Sequence, residues 1–210
     1  MRTIVKCSSN LRQIGQLFNL YAVNNGGFYP PTMWIHQYDN SIPNHSAYGM
    51  VHCLGPYIGQ KHWSGINMSS TTEVYAITSA EMPTFRRSVF VCPEYTGSIS
   101  GIIPYQSGYG ETRYLTKTYA THTGLDHTLP RNIARMRRPS PKIIHVADSF
   151  NDFILKDINY IKTQPKYKRS FDIERHRGGT AANVLFLDGH VNTFTADYIL
   201  KNLTIDMELE

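Results

Sequence analysis

Arg175–Phe194, RHRGGTAANVLFLDGHVNTF, joins a basic, glycine-containing loop to an apolar run, then Asp188-Gly189 and a second, alternating run. NVLFL and HVNTF are separated by Asp188 and Gly189, a pair suited to the two-residue hairpin turn whose central residues both take positive φ. That register sets Leu187 opposite His190, Phe186 opposite Val191, Leu185 opposite Asn192 and Val184 opposite Thr193. Phe186, Val184 and Val191 then share one face, and Leu185, Leu187, His190 and Asn192 the other. The first strand is apolar on both faces and predicts cover on both. The second is polar on one face and predicts a place near a sheet edge. Asp188 and Gly189 are thereby expected to be structural.

His176, Asp188 and His190 also lie in this stretch, and His176 precedes Asp188 by 12 positions. A His–Asp pair can orient an imidazole for acid/base work, and with a bound metal the three residues would suit a hydrolase. No Gly-x-Ser-x-Gly, phosphate-cradling loop or His-Glu-x-x-His accompanies them. His176 and His190 are therefore read as structural, and no catalytic residue is expected.

Outward from the hairpin, the clearest helix opens the chain. Ile4, Cys7, Leu11, Ile14, Phe18 and Tyr21 recur at spacings of three and four, which places them on one stripe, with Leu17 and Ala22 widening it. Asn24-Asn25-Gly26-Gly27 supplies residues able to stop a helix, and Pro30-Pro31 prevents its resumption. The reading is a helix over 1–27 and a β-rich head over 28–210, with 171–196 as the hairpin region.

Within the head, SVFVCPEY (88–95) reads as a buried strand stopped by Pro93, and PSPKIIHVADSF (139–150) as a covered strand containing a hydrogen-bonded core histidine, His145. Residues 32–88 read as a long irregular excursion with a short helix and one or two strands. Its histidines, His36, His45, His52 and His62, lack the i, i+4 spacing of paired ligands. Asp148, Asn151 and Asp152 cluster at a strand end and are calcium candidates by their oxygen chemistry, set against an ordinary polar loop.

The totals agree with one globular chain. Of 210 residues 41% are hydrophobic and 12% aromatic, enough for a core, while fourteen tyrosines, 15 Gly and 11 Pro favour a turn-rich β body. The formal charge of +5 gathers at Arg135, Arg137 and Arg138, and at Lys166, Lys168 and Arg169, which read as solvated loops; nucleic acid is not an expected partner. No run reaches bilayer-spanning length, so these residues read as soluble. Cys7, Cys53 and Cys92 have no zinc-binding spacing; one pair with one leftover, or three buried thiols, both fit.

Four stretches together resemble bacterial pilin-like proteins, specifically the large pseudopilin-like group with a prepilin-type cleavage and methylation region. KCSSNLRQIGQLFNLYAVNNGGFYPP (6–31) resembles the segment after the membrane-spanning half of their N-terminal helix. FVCPEY (90–95) and PSPKIIHVADS (139–149) resemble two of their strands. RHRGGTAANVLFLDGHVNTF resembles their C-terminal prepilin-processing-associated signature of a His, nine residues and Asp-Gly, although eleven residues separate His176 from Asp188 here. Much of 32–138 lies outside the resemblance.

The resemblance implies an α+β, pilin-like fold, with a long N-terminal helix packed on an antiparallel sheet. It implies a structural subunit of a type II secretion-like pseudopilus or pilus-like filament, whose partners are other pilin-like subunits, secretion machinery and the membrane. Members begin with a basic leader, a processing site and about twenty apolar residues. The chain begins just past such a segment, so the resemblance implies a membrane-anchored native protein with an extracytoplasmic head. It also permits a Cys53–Cys92 disulfide there. Major pseudopilins bind calcium in a C-terminal loop, which adds to the Asp148 cluster; no other cofactor is expected. An alternative is an anchored module capturing polysaccharide on Trp34, Tyr38, Tyr48, Tyr57 and Trp63.

Overall fold

The computed structural model describes residues 2–30, 34–35, 47–48, 50–60, 80–95, 108–112, 116–120, 126–130, 143–149, 154–155, 163 and 171–202. Helix α1 (Arg2–Asn24) is followed by β1 (Trp34–Ile35), β2 (Ala47–Tyr48), α2 (Met50–Leu54) with a 3-10 turn over Gly55–Ile58, and α3 (Met82–Arg86). Then come β3 (Tyr109–Thr112), β4 (Thr116–Ala120), β5 (Asp126–Pro130), β6 (Ile144–Asp148) and β7 (Ile154–Leu155). The chain continues through β8 (Ala181–Phe186), β9 (Val191–Thr195) and α4 (Ala196–Asn202). The main sheet has the order β7-β3-β6-β8-β9, antiparallel except for the parallel β7–β3 edge; β1–β2 and β4–β5 are separate ribbons. The class is α+β.

Helix α1 follows its stripe. Cys7, Leu11, Ile14 and Phe18 are fully buried, Ala22 nearly so, and Leu17 and Tyr21 pack at the margin. They meet Val146, Leu185, Leu187 and Val191 of the sheet, and each large side chain so buried stabilises the fold by about 1.5–3 kcal/mol. The approach is close, since a Cβ on Gly15 would lie 3.1 Å from Leu185 Cδ1. The helix ends at Asn24, where the Asn24–Gly27 stop signal begins. Gly26 and Gly27 take positive φ, and the Gly27 N–H returns to the Ala22 carbonyl at 2.8 Å. The opposite sheet face is covered too: Phe171, Ile173 and Ile199 of α4 pack on Ile144, Ala147, Ala182, Val184 and Phe186. Strand β8 is buried along its whole length and β9 is the edge strand, as their patterns predict.

The hairpin register differs from the sequence reading by one residue. Leu185 pairs with Val191, Val184 with Asn192 and Asn183 with Thr193. The loop therefore has three residues, Leu187-Asp188-Gly189, closed by Gly189 N–H to Phe186 O and Phe186 N–H to His190 O, both 2.9 Å. Only Gly189 takes positive φ, +90°, so a type I turn ending in a glycine bulge replaces the turn with two positive φ values. The slip moves Val191 to the α1 side with Leu185 and Leu187. It moves His190 onto the Phe186 ring at 4.3 Å.

Two further expectations are corrected. Residues 88–95 are buried at Phe90, Val91 and Cys92, but they form consecutive turns (Val91 N–H to Ser88 O, Tyr95 N–H to Cys92 O) instead of a strand. Pro93 and the Ser88 hydroxyl, which accepts from Phe90 N–H, favour those local bonds over a ladder. His145 is a core residue held by rings: its imidazole stacks on Tyr29 at 4.9 Å and tilts against Phe18 at 4.0 Å, while its Nε2 stands 3.8 Å from Glu111, beyond hydrogen-bond reach.

Candidate functional site: a buried ion cluster beneath the helix

Strand β6 carries a bulge between Ile144 and Val146. Ile144 and Ala147 face the α4 side, whereas Ile143, His145 and Val146 all face α1. Two consecutive residues on one side reverse the strand's phase, so Asp148 arrives on the α1 side, paired with Tyr109, whose hydroxyl donates to the Cys7 carbonyl at 3.3 Å. Without the bulge Asp148 would point at the other face. The bulge aims the carboxylate.

Asp148 is fully buried. Its Oδ2 accepts the Asn183 N–H at 2.6 Å and lies 3.0 Å from His176 Nε2; its Oδ1 is 3.7 Å from Arg175 Nη1. Arg175, with a side chain only 2% exposed, spreads its donors over three acceptors. Its Nε reaches Asp172 at 2.9 Å, and its two terminal nitrogens donate to the carbonyls of Gly108 and Ser149. The guanidinium lies over the Tyr95 ring, 5.1 Å from its centroid. Only the planar guanidinium fits this set; lysine has no fork to span two carbonyls and a carboxylate. Burial raises the Asp172 carboxyl despite Arg175 beside it.

His176 enters through a closed loop. Its N–H and carbonyl both bond Ala181, at 2.7 and 3.0 Å, and Arg177, Gly178 and Gly179 between them all take positive φ. The glycines permit this backbone, so the basic loop is a device that turns His176 inward and not a phosphate cradle. Its Nδ1 bonds the Glu94 carboxylate and its Nε2 faces Asp148. Burial alone would lower its pKa, but the hydrogen bonds and charge of Asp148, with Cys92 adding, raise it to about 10. The imidazole stands between two carboxylates, which favour its protonated form.

The sulfurs of Cys7 and Cys92 join this group: each lies within 4.8 Å of the other and of a His176 ring nitrogen. All three cysteines are free thiols. The resemblance permits a bond from Cys53 to Cys92; the thiol that stands beside Cys92 here is Cys7. Cys53 lies in α2, where burial, with Glu111 adding, raises it to about 12.

Asp188 and His190 form an exposed pair, Nδ1 to Oδ1 2.5 Å, at the hairpin tip. His176 sits at the far end of β8, roughly 20 Å of strand away, so the hydrolase constellation of His176, Asp188 and His190 is not assembled. Asp148 serves the ion cluster, while Asn151, Asp152, Tyr38 and Trp63 lie outside the described residues. Trp34 pairs with Tyr48 across β1–β2, and Tyr57 packs edge-on against Tyr21. The sequence reading missed Glu94, Asp172 and Arg175. Asp172 and Arg175 carry one usable signal, an acid and an arginine three apart beside a histidine.

An open groove of about 810 Å³, lined by Ile4, Val5, Ser8, Glu94, Arg177, Gly178 and Thr193, reaches the cluster only at Glu94. Among the described residues no helix is long and apolar enough to cross a membrane. Compared with protein-family models, curated proteins and solved structures, the chain matches none.

Proposed function

We propose that the chain is a structural subunit of a pilus-like or type II secretion-like filament, with a pilin-like head and no catalytic role. One observation carries the reading. Helix α1 spends its apolar stripe on its own sheet, yet its outward face still exposes Val5 (64%), Leu20 (45%) and Val23 (80%). Apolar side chains on an otherwise polar helix face suit packing against further copies of the same chain. The buried ion cluster supports a structural role, because Asp148 and His176 have no exposed surface to offer a substrate. In this reading the helix continues into a membrane anchor, the head lies outside the cytoplasm, and the partners are like subunits and secretion machinery.

The test is mass spectrometry of the N-terminal peptide from the native protein in its own membranes. An N-methylated residue opening an apolar segment that leads into Arg2–Asn10 supports filament assembly. A native chain that begins at Met1 and is recovered from the cytosol refutes it.

A further inference from the structure

Cys7 comes from α1 and Cys92 from the turn segment after α3, and the two meet in the interior at 0% and 1% exposure. Both sulfurs and a His176 ring nitrogen lie within 4.8 Å of one another. Two uses fit such a trio, a metal centre or a bond between the sulfurs. The surroundings separate them. His176 already has a carboxylate on each ring nitrogen, Glu94 on Nδ1 and Asp148 near Nε2. A divalent metal would have to displace three protons, one from each thiol and one from the imidazolium. It would also sit close to the Arg175 guanidinium, which faces the same Asp148. The two thiols are held only by weak sulfur hydrogen bonds, Cys92 to His176 and to Cys7, and closing them leaves every ion pair in place.

We propose that Cys7 and Cys92 form a buried disulfide that clamps α1 to the 88–95 segment and leaves Cys53 reduced. The reaction is thiol–disulfide exchange with a small oxidised disulfide such as oxidised glutathione. The Cys7 thiolate attacks one glutathione sulfur and expels the other as thiolate. The Cys92 thiolate then attacks the Cys7 sulfur of the mixed disulfide and releases the second glutathione. Two electrons pass to glutathione, and two protons leave the protein thiols. The same sequence runs with the two thiols exchanged, because both reach the oxidant before the core closes. Neither sulfur reaches solvent in the folded chain, so the bond closes during folding and is afterwards shielded from reductant.

The experiment refolds the full chain from denaturant in a defined mixture of reduced and oxidised glutathione, followed by acid quenching, alkylation, digestion and metal analysis. We expect a linked Cys7–Cys92 peptide, alkylated Cys53 and no bound metal. A reductant that opens the bond fully in denaturant should open less than a tenth of it in the folded protein over the same time. Cys53→Ala should keep the link, and Cys7→Ala should leave Cys92 alkylated. A Cys53–Cys92 or Cys7–Cys53 link, three alkylated thiols, or stoichiometric zinc with all three thiols alkylated after chelation would each overturn the proposal. A defined redox buffer makes the result independent of where the chain resides, so failure of the filament reading leaves it standing.

Discussion

Replacing Gly108 with alanine should destabilise the chain by about 3–5 kcal/mol, well beyond an ordinary glycine-to-alanine change. Gly108 has φ +91°, a backbone that costs an L side chain about 1–2 kcal/mol. The added Cβ would also stand 2.7 Å from Arg175 Nη1, 2.9 Å from Tyr95 Cβ and 3.1 Å from Cys92 Cβ. The two Cβ atoms are fixed to the backbone of the 92–95 turn and cannot give way alone. Nη1 is the atom that donates to the Gly108 carbonyl, so its retreat breaks a charge-assisted bond, a further loss of about 1.5–3 kcal/mol. Gly178→Ala is the control. Its φ is +69°, but nothing lies within 4 Å of the added methyl, so it should cost only the strain, about 1–2 kcal/mol. Guanidinium unfolding followed by far-ultraviolet circular dichroism measures both, with comparable slopes showing that the unfolded states compare. If the two variants fall within about 1 kcal/mol of each other, the close packing of Arg175 and the 92–95 turn on Gly108 is not what holds this corner, and the reasoning fails.

Asp148→Ala should cost about 3–5 kcal/mol, because it removes the carboxylate facing His176 Nε2 and Arg175 Nη1 and leaves the Asn183 N–H without its acceptor in the interior; a loss under about 1 kcal/mol by denaturant titration would refute the cluster's role. Stability should pass through a maximum near pH 6.5, with two different histidines responsible for the two limbs. His145 is lowered from 6.5 to about 3 by burial, so its contribution is complete above 6.5 and is lost as pH falls toward 3; His145→Phe should flatten that limb. His176 is raised to about 10, so its contribution is complete below 6.5 and declines as pH rises toward 10; His176→Asn should flatten that one. Melting temperatures across pH 4–9 for the three proteins check both signs. Gly189→Val should destabilise the hairpin by about 1–3 kcal/mol through φ alone, since its Cβ meets open space; an unchanged melting temperature would refute the glycine bulge.

Elements built on local periodicity were legible. The α1 stripe and the edge character of β9 follow from patterns of spacing 3.6 or 2, and the covered strands β6 and β8 from short continuous apolar runs, all of which a chain expresses without distant contacts. The helix stop followed from two adjacent glycines, and Gly189 from its need for positive φ. Other local readings failed through near-degeneracy. The Asp-Gly loop admits two- and three-residue closures, and packing Val191 beneath α1 selected the longer one. Strand β3 is four residues within a glycine-rich stretch and carries too little pattern to be seen alone.

The ion cluster lay beyond the sequence for a different reason. Cys7, Glu94, Asp148 and Arg175 sit on four segments far apart along the chain, and each alone has an ordinary reading as stripe, turn, loop or solvated charge. What brings them together is the burial of the α1 stripe and a single bulge that reverses the phase of β6, a displacement of one residue that no periodicity encodes. The sequence determined which surfaces had to be buried, because apolar spacing is a property of the chain. Which charges were buried with them was decided only in the folded structure, because a buried charge must find its partners in space.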